Sequence, residues 1–268
     1  MAAAAGLNVR QGAGAARRGT SGPRLLAALV LLGGWQMLAV SGLLFRDVVP
    51  PLGALAAGLW GVVTDGEFWG NALVTGSELL AAVLVGGVLG VAVGLVFGTS
   101  RFVSAAFERW VTWLGPTPKI ILFPVLILLC GVGPGSKVAM GAVSCFFPLV
   151  LSTAAAVRGV NPVLLRVARS LRARRYQILL KVYLPATVAP LLNGVRLGFG
   201  VALIGVLLAE TKLSNQGIGF AVMQAYARFD MPRMYGLLIL VVGFAAAVNV
   251  GLEHAARRGA GATIRKDH

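Results

Sequence analysis

The chain has 268 residues and a formal net charge of +15, with 24 lysines and arginines against nine acidic residues. Hydrophobic residues make up 57% of the chain and charged residues only 12%, about half the share that a soluble domain carries. A chain this poor in charge cannot cover a globular surface, so its long apolar stretches predict a membrane protein. The positive charge is therefore interpreted through its distribution along the chain, and not as a nucleic-acid-binding surface.

Cysteine and histidine are too few to predict a metal site or histidine-based catalysis. Cys130 and Cys145 fall in apolar stretches without zinc-ligand or disulfide spacing, and we interpret them as small buried hydrophobic residues. The two histidines, His254 and His268, lie near the C-terminal end. We expect no metal site and no catalytic residue in this chain.

The chain begins with a basic segment, residues 1–24, which is mainly Ala, Gly and Arg and is predicted to be a disordered tail. An uncharged run follows over residues 25–45. A signal peptide with Ala39-Val40-Ser41 as its cleavage site is the alternative interpretation, but the run is longer than the usual hydrophobic region of about 7–15 residues. We therefore predict a first, uncleaved membrane span.

Five further spans are predicted from runs of about 20 apolar residues. The third span is short, contains Pro124 and must extend back towards Trp110. A shorter apolar stretch, residues 50–63, has tryptophans nearby and is interpreted as an interfacial segment. The predicted transmembrane domain covers residues 25–255, and residues 256–268 form a basic C-terminal tail. The five spans are residues 79–98, 120–133, 138–157, 187–209 and 234–252.

The basic residues follow the predicted topology. With the N-terminus in the cytoplasm, eighteen of the 24 basic residues fall in cytoplasmic segments, five in outer segments and one, Arg196, within a span. This asymmetry agrees with the positive-inside rule. An odd number of spans would place the two basic termini on opposite sides, so the charge distribution favours six spans with both termini cytoplasmic.

The longest cytoplasmic connection, residues 158–185, holds seven of these basic residues. It opens with Asn161 followed by Pro162, a typical helix start. At 100° per residue, the apolar residues that follow lie on one arc and the arginines on another, which predicts a short amphipathic helix. The pattern alone fits equally well an interfacial helix that binds anionic lipid and a docking helix for a cytoplasmic partner.

The same loop, residues 158–185, resembles the EAA signature of binding-protein-dependent ABC transporter permeases and is named the coupling loop below. That signature runs Glu-Ala-Ala, then a Gly four residues after the second Ala, then about nine residues to a hydrophobic-x-Leu-Pro. The residues that match in place and spacing are Ala168, Leu171, Ala173, Tyr176, Gln177, Val182, Leu184 and Pro185.

Further short motifs resemble the nitrate, sulfonate and taurine branch of these permeases. They include Pro116 and Pro118 with Phe123-Pro124, and the segment from Asn215 to Phe220 after Ala209-Glu210. The resemblance extends from about residue 25 to 255. It implies an all-α membrane protein of the type I ABC importer permease fold, with about six transmembrane helices and a cytoplasmic coupling helix.

Two residues depart from the signature: Arg166 stands in place of its Glu and Arg172 in place of its Gly. If position 172 has a left-handed backbone, Arg costs on the order of 1 kcal/mol more than Gly. Either the turn is reshaped or the helix continues through it. We hypothesise that Arg172→Gly leaves assembly with the ATPase subunit intact.

The resemblance also implies the partners. Ala168 and Leu171 would seat the coupling helix in a cytoplasmic ATP-binding subunit, and Tyr176 and Pro185 would set the angle at which the chain leaves it. Ala168→Asp is then expected to uncouple the complex. No G-x-x-x-x-G-K-[ST] motif occurs here, so the chain is expected to bind no cofactor, with ATP and magnesium used by that subunit. An extracytoplasmic substrate-binding protein and a second permease copy, in a homodimer, are also implied.

Four glycines in the second predicted span, Gly86, Gly90, Gly94 and Gly98, recur at intervals of four. They form one stripe on a helix, which permits close approach of a second helix. We interpret the stripe as a packing surface and not as part of a pore.

A translocation path or gate is assigned to four residues. Pro118 and Pro124 break helices at membrane depth, where irregular backbone is tolerated inside protein or beside a cavity. Glu210 is an ionisable residue near the end of the fifth span, with either a gating role or simple contact with water. Asn215 follows in the segment that resembles the family. Arg196 lies about 21 Å from Glu210 along a helix, too far to pair.

The sequence therefore predicts a multi-pass protein of the bacterial inner membrane, the permease subunit of an ATP-driven importer. The solute would be an aliphatic sulfonate, taurine, nitrate or a vitamin precursor, as the resemblance implies. A secondary transporter or channel not coupled to ATP is the alternative, although no clear inverted repeat is found. A membrane-embedded enzyme would need a catalytic cluster within the spans, which the sequence lacks.

Overall fold

The computed structural model of the protein describes residues 21–43 and 48–264. Within these ranges the chain is helical and contains no strand, which confirms the all-α prediction. Most of the predicted N-terminal tail and the last four residues lie outside the described residues, whereas the predicted C-terminal tail is helical as far as Ile264. The helices are α1 (Ser21–Val40), α2 (Leu52–Thr64), α3 (Gly66–Thr99), α4 (Arg101–Val103), α5 (Arg109–Leu114), α6 (Phe123–Cys130), α7 (Pro134–Arg158), α8 (Pro162–Ser170), α9 (Arg175–Ile178), α10 (Leu184–Lys212), α11 (Ile218–Ala227) and α12 (Met231–Ile264).

The described residues divide into two compact units, residues 1–56 and 57–268. In the first unit, two hydrogen bonds hold the segment before α2 against α1. The indole N–H of Trp35 donates to the carbonyl of Pro50 at 3.0 Å. The backbone N–H of Leu52 donates to the side-chain oxygen of Gln36 at 2.9 Å. These bonds pair polar side chains of α1 with backbone groups of the segment before α2.

The second unit is organised around α3, α7 and α10. Their buried side chains form one cluster, to which the partly buried Ala245 of α12 adds. A second cluster joins the end of α2 to α3, α11 and α12. Because apolar side chains fill both clusters, the membrane-spanning part of the unit has a packed interior. The buried residues of the first cluster are Leu79, Ala82, Cys145, Leu149, Ala202, Leu203 and Val206.

The glycine stripe on α3 faces α7. A Cβ atom at Gly90 would lie 2.8 Å from the Cβ of Leu149, and one at Gly94 would lie 2.6 Å from the Cβ of Thr153. Cβ positions at Gly86 and Gly98 are also blocked by α7 residues, Ala142 and Val157. Because these four positions carry no side chain, α3 and α7 can pack closely against each other.

Among the described residues, four helical segments are long and apolar enough to cross a membrane: Gly66–Thr99, Pro134–Arg158, Pro190–Lys212 and Met231–Ala256. A fifth span results if Arg101–Leu114 and Lys119–Cys130 are taken together. The first of the six predicted spans corresponds to α1, whose apolar part Leu25–Val40 is shorter than this length criterion. The predicted interfacial segment corresponds to the short apolar helix α2.

The third predicted span is broken rather than continuous. Its two halves, Arg101–Leu114 and Lys119–Cys130, meet at 96°. Pro116 and Pro118 lie between them and lack the N–H groups that would continue the helix, and each disfavours a helical backbone in the residue before it. The extension back towards Trp110 therefore exists, but it does not form one straight helix with the residues after Pro118.

Candidate functional site

The coupling loop begins with the amphipathic helix that the sequence predicts. In α8 the side-chain oxygen of Asn161 accepts a hydrogen bond from the N–H of Val163 at 2.9 Å, and Pro162 occupies the first turn. This cap satisfies an N–H that has no partner within the helix. The helix ends at Ser170, after nine residues.

The turn after α8 follows neither of the two alternatives predicted for Arg172: it is not reshaped, and the helix does not continue through it. Arg172 has φ of 51°, a left-handed backbone, so the turn is retained with Arg in place of Gly. The N–H of Ala173 donates to the carbonyl of Ala168 at 3.0 Å, and the N–H of Arg172 donates to that of Arg169 at 2.9 Å. These two bonds form a Schellman motif, in which the left-handed position is usually Gly.

The two residues expected to seat the coupling helix face different surroundings. Leu171 is 77% exposed, but Ala168 is only 9% exposed because it faces the rest of this chain. Three other apolar residues of the helix, Val163, Leu164 and Val167, are about half exposed. The apolar surface open to a partner therefore consists of these three residues with Leu171, and it excludes Ala168.

The remaining signature residues continue the same segment. Tyr176 lies exposed on α9, Val182 in a π-helical turn over Leu179–Tyr183, and Leu184 and Pro185 open α10. Arg174 donates its N–H to the side-chain oxygen of Gln177 at 2.7 Å and so caps α9. No arginine between residues 166 and 175 forms a salt bridge with any described residue. The loop thus presents apolar residues among unpaired positive charges.

A second candidate region is a buried polar cluster, defined here as Thr75, Glu78, Lys137, Glu210 and Gly219. Glu210 is 1% exposed, so it does not reach water as one sequence interpretation held. One carboxylate oxygen accepts from the hydroxyl of Thr75 at 2.6 Å, and the other accepts from the N–H of Gly219 at 2.6 Å. Both oxygens are therefore satisfied, as burial of a carboxylate requires.

Glu78 and Lys137 form a buried salt bridge that the sequence reasoning missed. Their side chains meet at 3.0 Å and are almost inaccessible. The second predicted span begins at Leu79, directly after the charged Glu78, and Lys137 directly precedes the fourth predicted span, which begins at residue 138. In the structure α3 begins at Gly66, capped by Asp65, and carries Glu78 into the interior. The sequence did contain a signal for this salt bridge, since two residues of opposite charge each lie directly next to a predicted span.

The cluster also holds the segment between α10 and α11. The N–H of Gly217 donates to the side chain of Asn71 at 2.7 Å, and the N–H of Ile218 donates to the hydroxyl of Thr75 at 2.8 Å. Gly217 has φ of 106°, and a Cβ there would collide with the carboxylate of Glu210. The segment encloses a cavity of about 550 Å³, which Asn215 and Glu210 both line.

The other predicted path residues lie apart from this cavity. Pro118 and Pro124 are exposed and flank the first turn after the break in the third span. Arg196 does not pair with Glu210; it meets Glu253 of α12 at 3.4 Å and contacts Asn249. Of the four residues predicted to form a path or gate, the structure brings together only Glu210 and Asn215.

The coupling loop and the buried polar cluster lie towards opposite ends of the same helices. Glu78 and Thr99 are both on α3, about 30 Å apart at 1.5 Å per residue. Thr99 lines a cavity of about 700 Å³ with Arg169 and Tyr176 of the coupling loop. Long helices therefore connect an exposed, basic end of the bundle with a buried, polar one.

Known proteins with similar sequences are transport permeases. The chain is 28% identical to the SsuC permease protein of Bacillus subtilis, whose name assigns it to aliphatic sulfonates transport, over 81% of this chain and 79% of that protein. It is 26% identical to the taurine transport system permease protein TauC of Escherichia coli, over 85% of each chain.

A solved structure has the same fold. The inward-facing MetNI methionine ABC transporter aligns with a TM-score of 0.64 and 18% identity, covering 78% of this chain and 97% of that one. The family described as binding-protein-dependent transport system inner membrane component matches residues 86–258, more than half of the chain. The chain belongs to this family, and is a multi-pass ABC transporter permease of the sulfonate and taurine branch.

Proposed function

We propose that the chain forms the translocation path of an ATP-driven importer for a small sulfonate, either taurine or an aliphatic sulfonate. The relatives named for these solutes support this substrate class. ATP and magnesium are used by a separate cytoplasmic subunit that docks on the coupling loop. An extracytoplasmic binding protein delivers the solute, and a second copy of this chain completes the path.

The exposed apolar face of α8 is the observation that carries this proposal. Leu164, Val167 and Leu171 have spacings of three and four residues, so they share one face of the helix. An apolar face in water is costly, and its rim of unpaired arginines is suited to a partner with acidic groups. When the ATPase subunit closes around ATP, a helix seated in its groove moves with it.

The membrane orientation follows from the same assignment. If the coupling loop is cytoplasmic, the segment between α10 and α11 faces the outside. With α1 as the first span, both termini are also cytoplasmic, in agreement with the excess of basic residues in those segments. Single cysteines introduced at the exposed positions Leu171 and Asn215, in a chain without native cysteines, test this: only the second should react with an impermeant reagent in intact cells.

Substitutions in α8 test the docking surface. Val167→Asp places a charge on the exposed apolar face and is expected to reduce recovery of the ATPase subunit in co-purification at least tenfold. Arg166→Gln is the matched control, since it changes the charge of the neighbouring residue and leaves the apolar face intact. If Val167→Asp retained full ATPase binding and full uptake, the docking assignment would be wrong.

Ala168→Asp has a different expected outcome from the one that the signature alone implies. Because Ala168 is buried within this chain, a carboxylate there should lower the yield and thermal stability of the permease itself. Detergent-extracted protein without the partner provides the measurement. Normal stability with selective loss of ATP-driven uptake would show instead that residue 168 contacts the ATPase directly.

Transport is tested in proteoliposomes that contain the permease, its ATPase and its binding protein. We expect uptake of labelled taurine or ethanesulfonate that requires both ATP and the binding protein. Uptake driven by an ion gradient without ATP would overturn the proposed function and support a secondary transporter.

A further inference from the structure

The cavity of about 700 Å³ beside the coupling loop lies at the edge of the membrane-spanning part of the chain. Thr99 and Ser100 line one side of it, directly after the uncharged run 79–98. A run of about 20 residues matches the thickness of the hydrocarbon core of a bilayer. Tyr183, which directly precedes α10, lines another side. Because both sides adjoin membrane spans, the cavity lies at the depth of the lipid head groups.

Two arginines of the coupling loop, Arg169 and Arg175, also line this cavity. Both are exposed, and neither side chain forms a salt bridge with any described residue. The sequence explains why they are unpaired. Glu108 is the only acidic residue between positions 79 and 209, and it is already bound to Arg158 at 2.6 Å. The counter-charge for the two arginines therefore comes from another molecule.

The amphipathic helix α8 places Arg169 on the side away from the proposed docking face. At 100° per residue, Arg169 lies about 170° from the midpoint between Leu164 and Val167. A protein seated on that apolar face leaves Arg169 on the opposite side, where the end of α3 lines the same cavity. This step rests on the docking face of the proposed function. It places the ligand of Arg169 on the membrane side of the helix.

The chemistry of the lining suits a phosphate group. Guanidinium groups bind phosphate oxygens through paired N–H donors. The lining also includes Tyr176 and Tyr183, whose hydroxyl groups can donate hydrogen bonds and whose rings are typical of the membrane interface. Among the described residues that line the cavity, none is acidic, so no carboxylate opposes an anion there.

The residues next to the cavity favour a lipid over a free phosphate ion. Phe102, shortly after Ser100, is 82% exposed. Leu180, directly after the lining residue Leu179, is 56% exposed. Acyl chains cover such apolar side chains favourably, whereas a free phosphate ion gains nothing from them. A basic cavity beside exposed apolar residues therefore matches an amphiphile with an anionic head group.

We propose that this cavity binds the phosphate of an anionic phospholipid such as phosphatidylglycerol, with Arg169 and Arg175 as its cationic ligands. Basic cavities between helices at the cytoplasmic surface are suited to such head groups. One phosphate then contacts both the coupling loop and the end of α3. The lipid holds the loop against the membrane surface while its apolar face remains open to a protein.

Native mass spectrometry of the purified full-length chain in detergent tests the proposal without the ATPase or the binding protein. Phosphatidylglycerol is compared with phosphatidylcholine of the same acyl chains. We expect the first phosphatidylglycerol to bind about tenfold or more tightly than the first phosphatidylcholine. In the double variant Arg169→Gln with Arg175→Gln, this preference should fall to about twofold or less. An unchanged preference in the folded double variant would overturn the site.

A matched control removes the same charge from other positions of the coupling loop. Arg166 and Lys181 are exposed but do not line the cavity. The double variant Arg166→Gln with Lys181→Gln should therefore keep the preference for phosphatidylglycerol. An equal loss in this control would show that the lipid responds to the net charge of the loop, and the assigned cavity would be wrong.

Two further arms identify the source of the anion. An excess of inorganic phosphate or of glycerol 3-phosphate should not displace phosphatidylglycerol, and displacement by either would overturn the lipid assignment. Loss of ATPase co-purification in the Arg169, Arg175 double variant, with lipid binding unchanged, would assign the arginines to the ATPase instead. If that variant does not fold, Arg175→Gln alone should weaken phosphatidylglycerol binding about fivefold, and unchanged affinity would count against the site. Since lipid binding is measured on this chain alone, its outcome is separate from a failure of ATPase docking on α8.

Discussion

Polar side chains are buried and paired at one end of α3 and α10, and they are exposed and unpaired at the other end. At the end with the buried polar cluster, Glu78, Lys137 and Glu210 are almost completely buried, and most of their polar atoms are paired. At the coupling loop, arginines are exposed and unpaired, and apolar residues such as Leu171 are exposed beside them. The first arrangement joins helices of the same chain, whereas the second leaves its binding groups free for another protein.

This difference identifies which residues determine stability and which determine assembly. A buried ion pair is destabilising when only one partner is removed, because the other charge is left without compensation. An exposed arginine or leucine contributes little to the fold of its own chain and much more to an interface that buries it. Substitutions at the two ends should therefore affect different measurements.

The largest expected effect is at the buried salt bridge. Lys137→Met leaves the carboxylate of Glu78 buried without a cation and should destabilise the permease by about 3–5 kcal/mol. The double variant Glu78→Met with Lys137→Met removes both charges at similar side-chain length and should recover most of that loss. Apparent melting temperatures in detergent measure both. A double variant no more stable than Lys137→Met would show that the pair is not the source of the effect.

An intermediate effect is expected in the glycine stripe, which lies between the two ends. Gly90→Ala places a Cβ 2.8 Å from that of Leu149 and should cost about 1–3 kcal/mol. Gly87→Ala is the matched control on the same helix, because its Cβ would lie 3.8 Å from Leu149, an ordinary contact. Unfolding temperatures of the two variants should differ by several degrees. Equal stability would mean that α3 and α7 are not held at this spacing.

The sequence predicted the apolar helices, the glycine stripe and the start of α8, because each depends on local composition or on a short repeat. It did not predict the length of α3, because a charged residue such as Glu78 ends an apolar run and only Lys137, 59 residues away, makes its burial tolerable. Nor did it predict the burial of Ala168. Alanine fits both an interface and an interior, and helical periodicity alone does not identify which protein covers it.

The smallest effect is expected at the turn that contains Arg172. Arg172→Gly relieves a left-handed backbone and should stabilise the permease by about 1 kcal/mol. Phe229 ends α11 with the same motif at φ of 58°, so Phe229→Gly is a matched variant at a site outside the coupling loop.

Both glycine variants should raise the melting temperature to a similar degree and leave co-purification of the ATPase subunit unchanged. If Arg172→Gly alone lost that subunit, the arginine would be retained for a contact with the partner despite its backbone strain. At least one exposed charge of the coupling loop would then contact the partner, and it would do so from the position that the signature glycine occupies in the family.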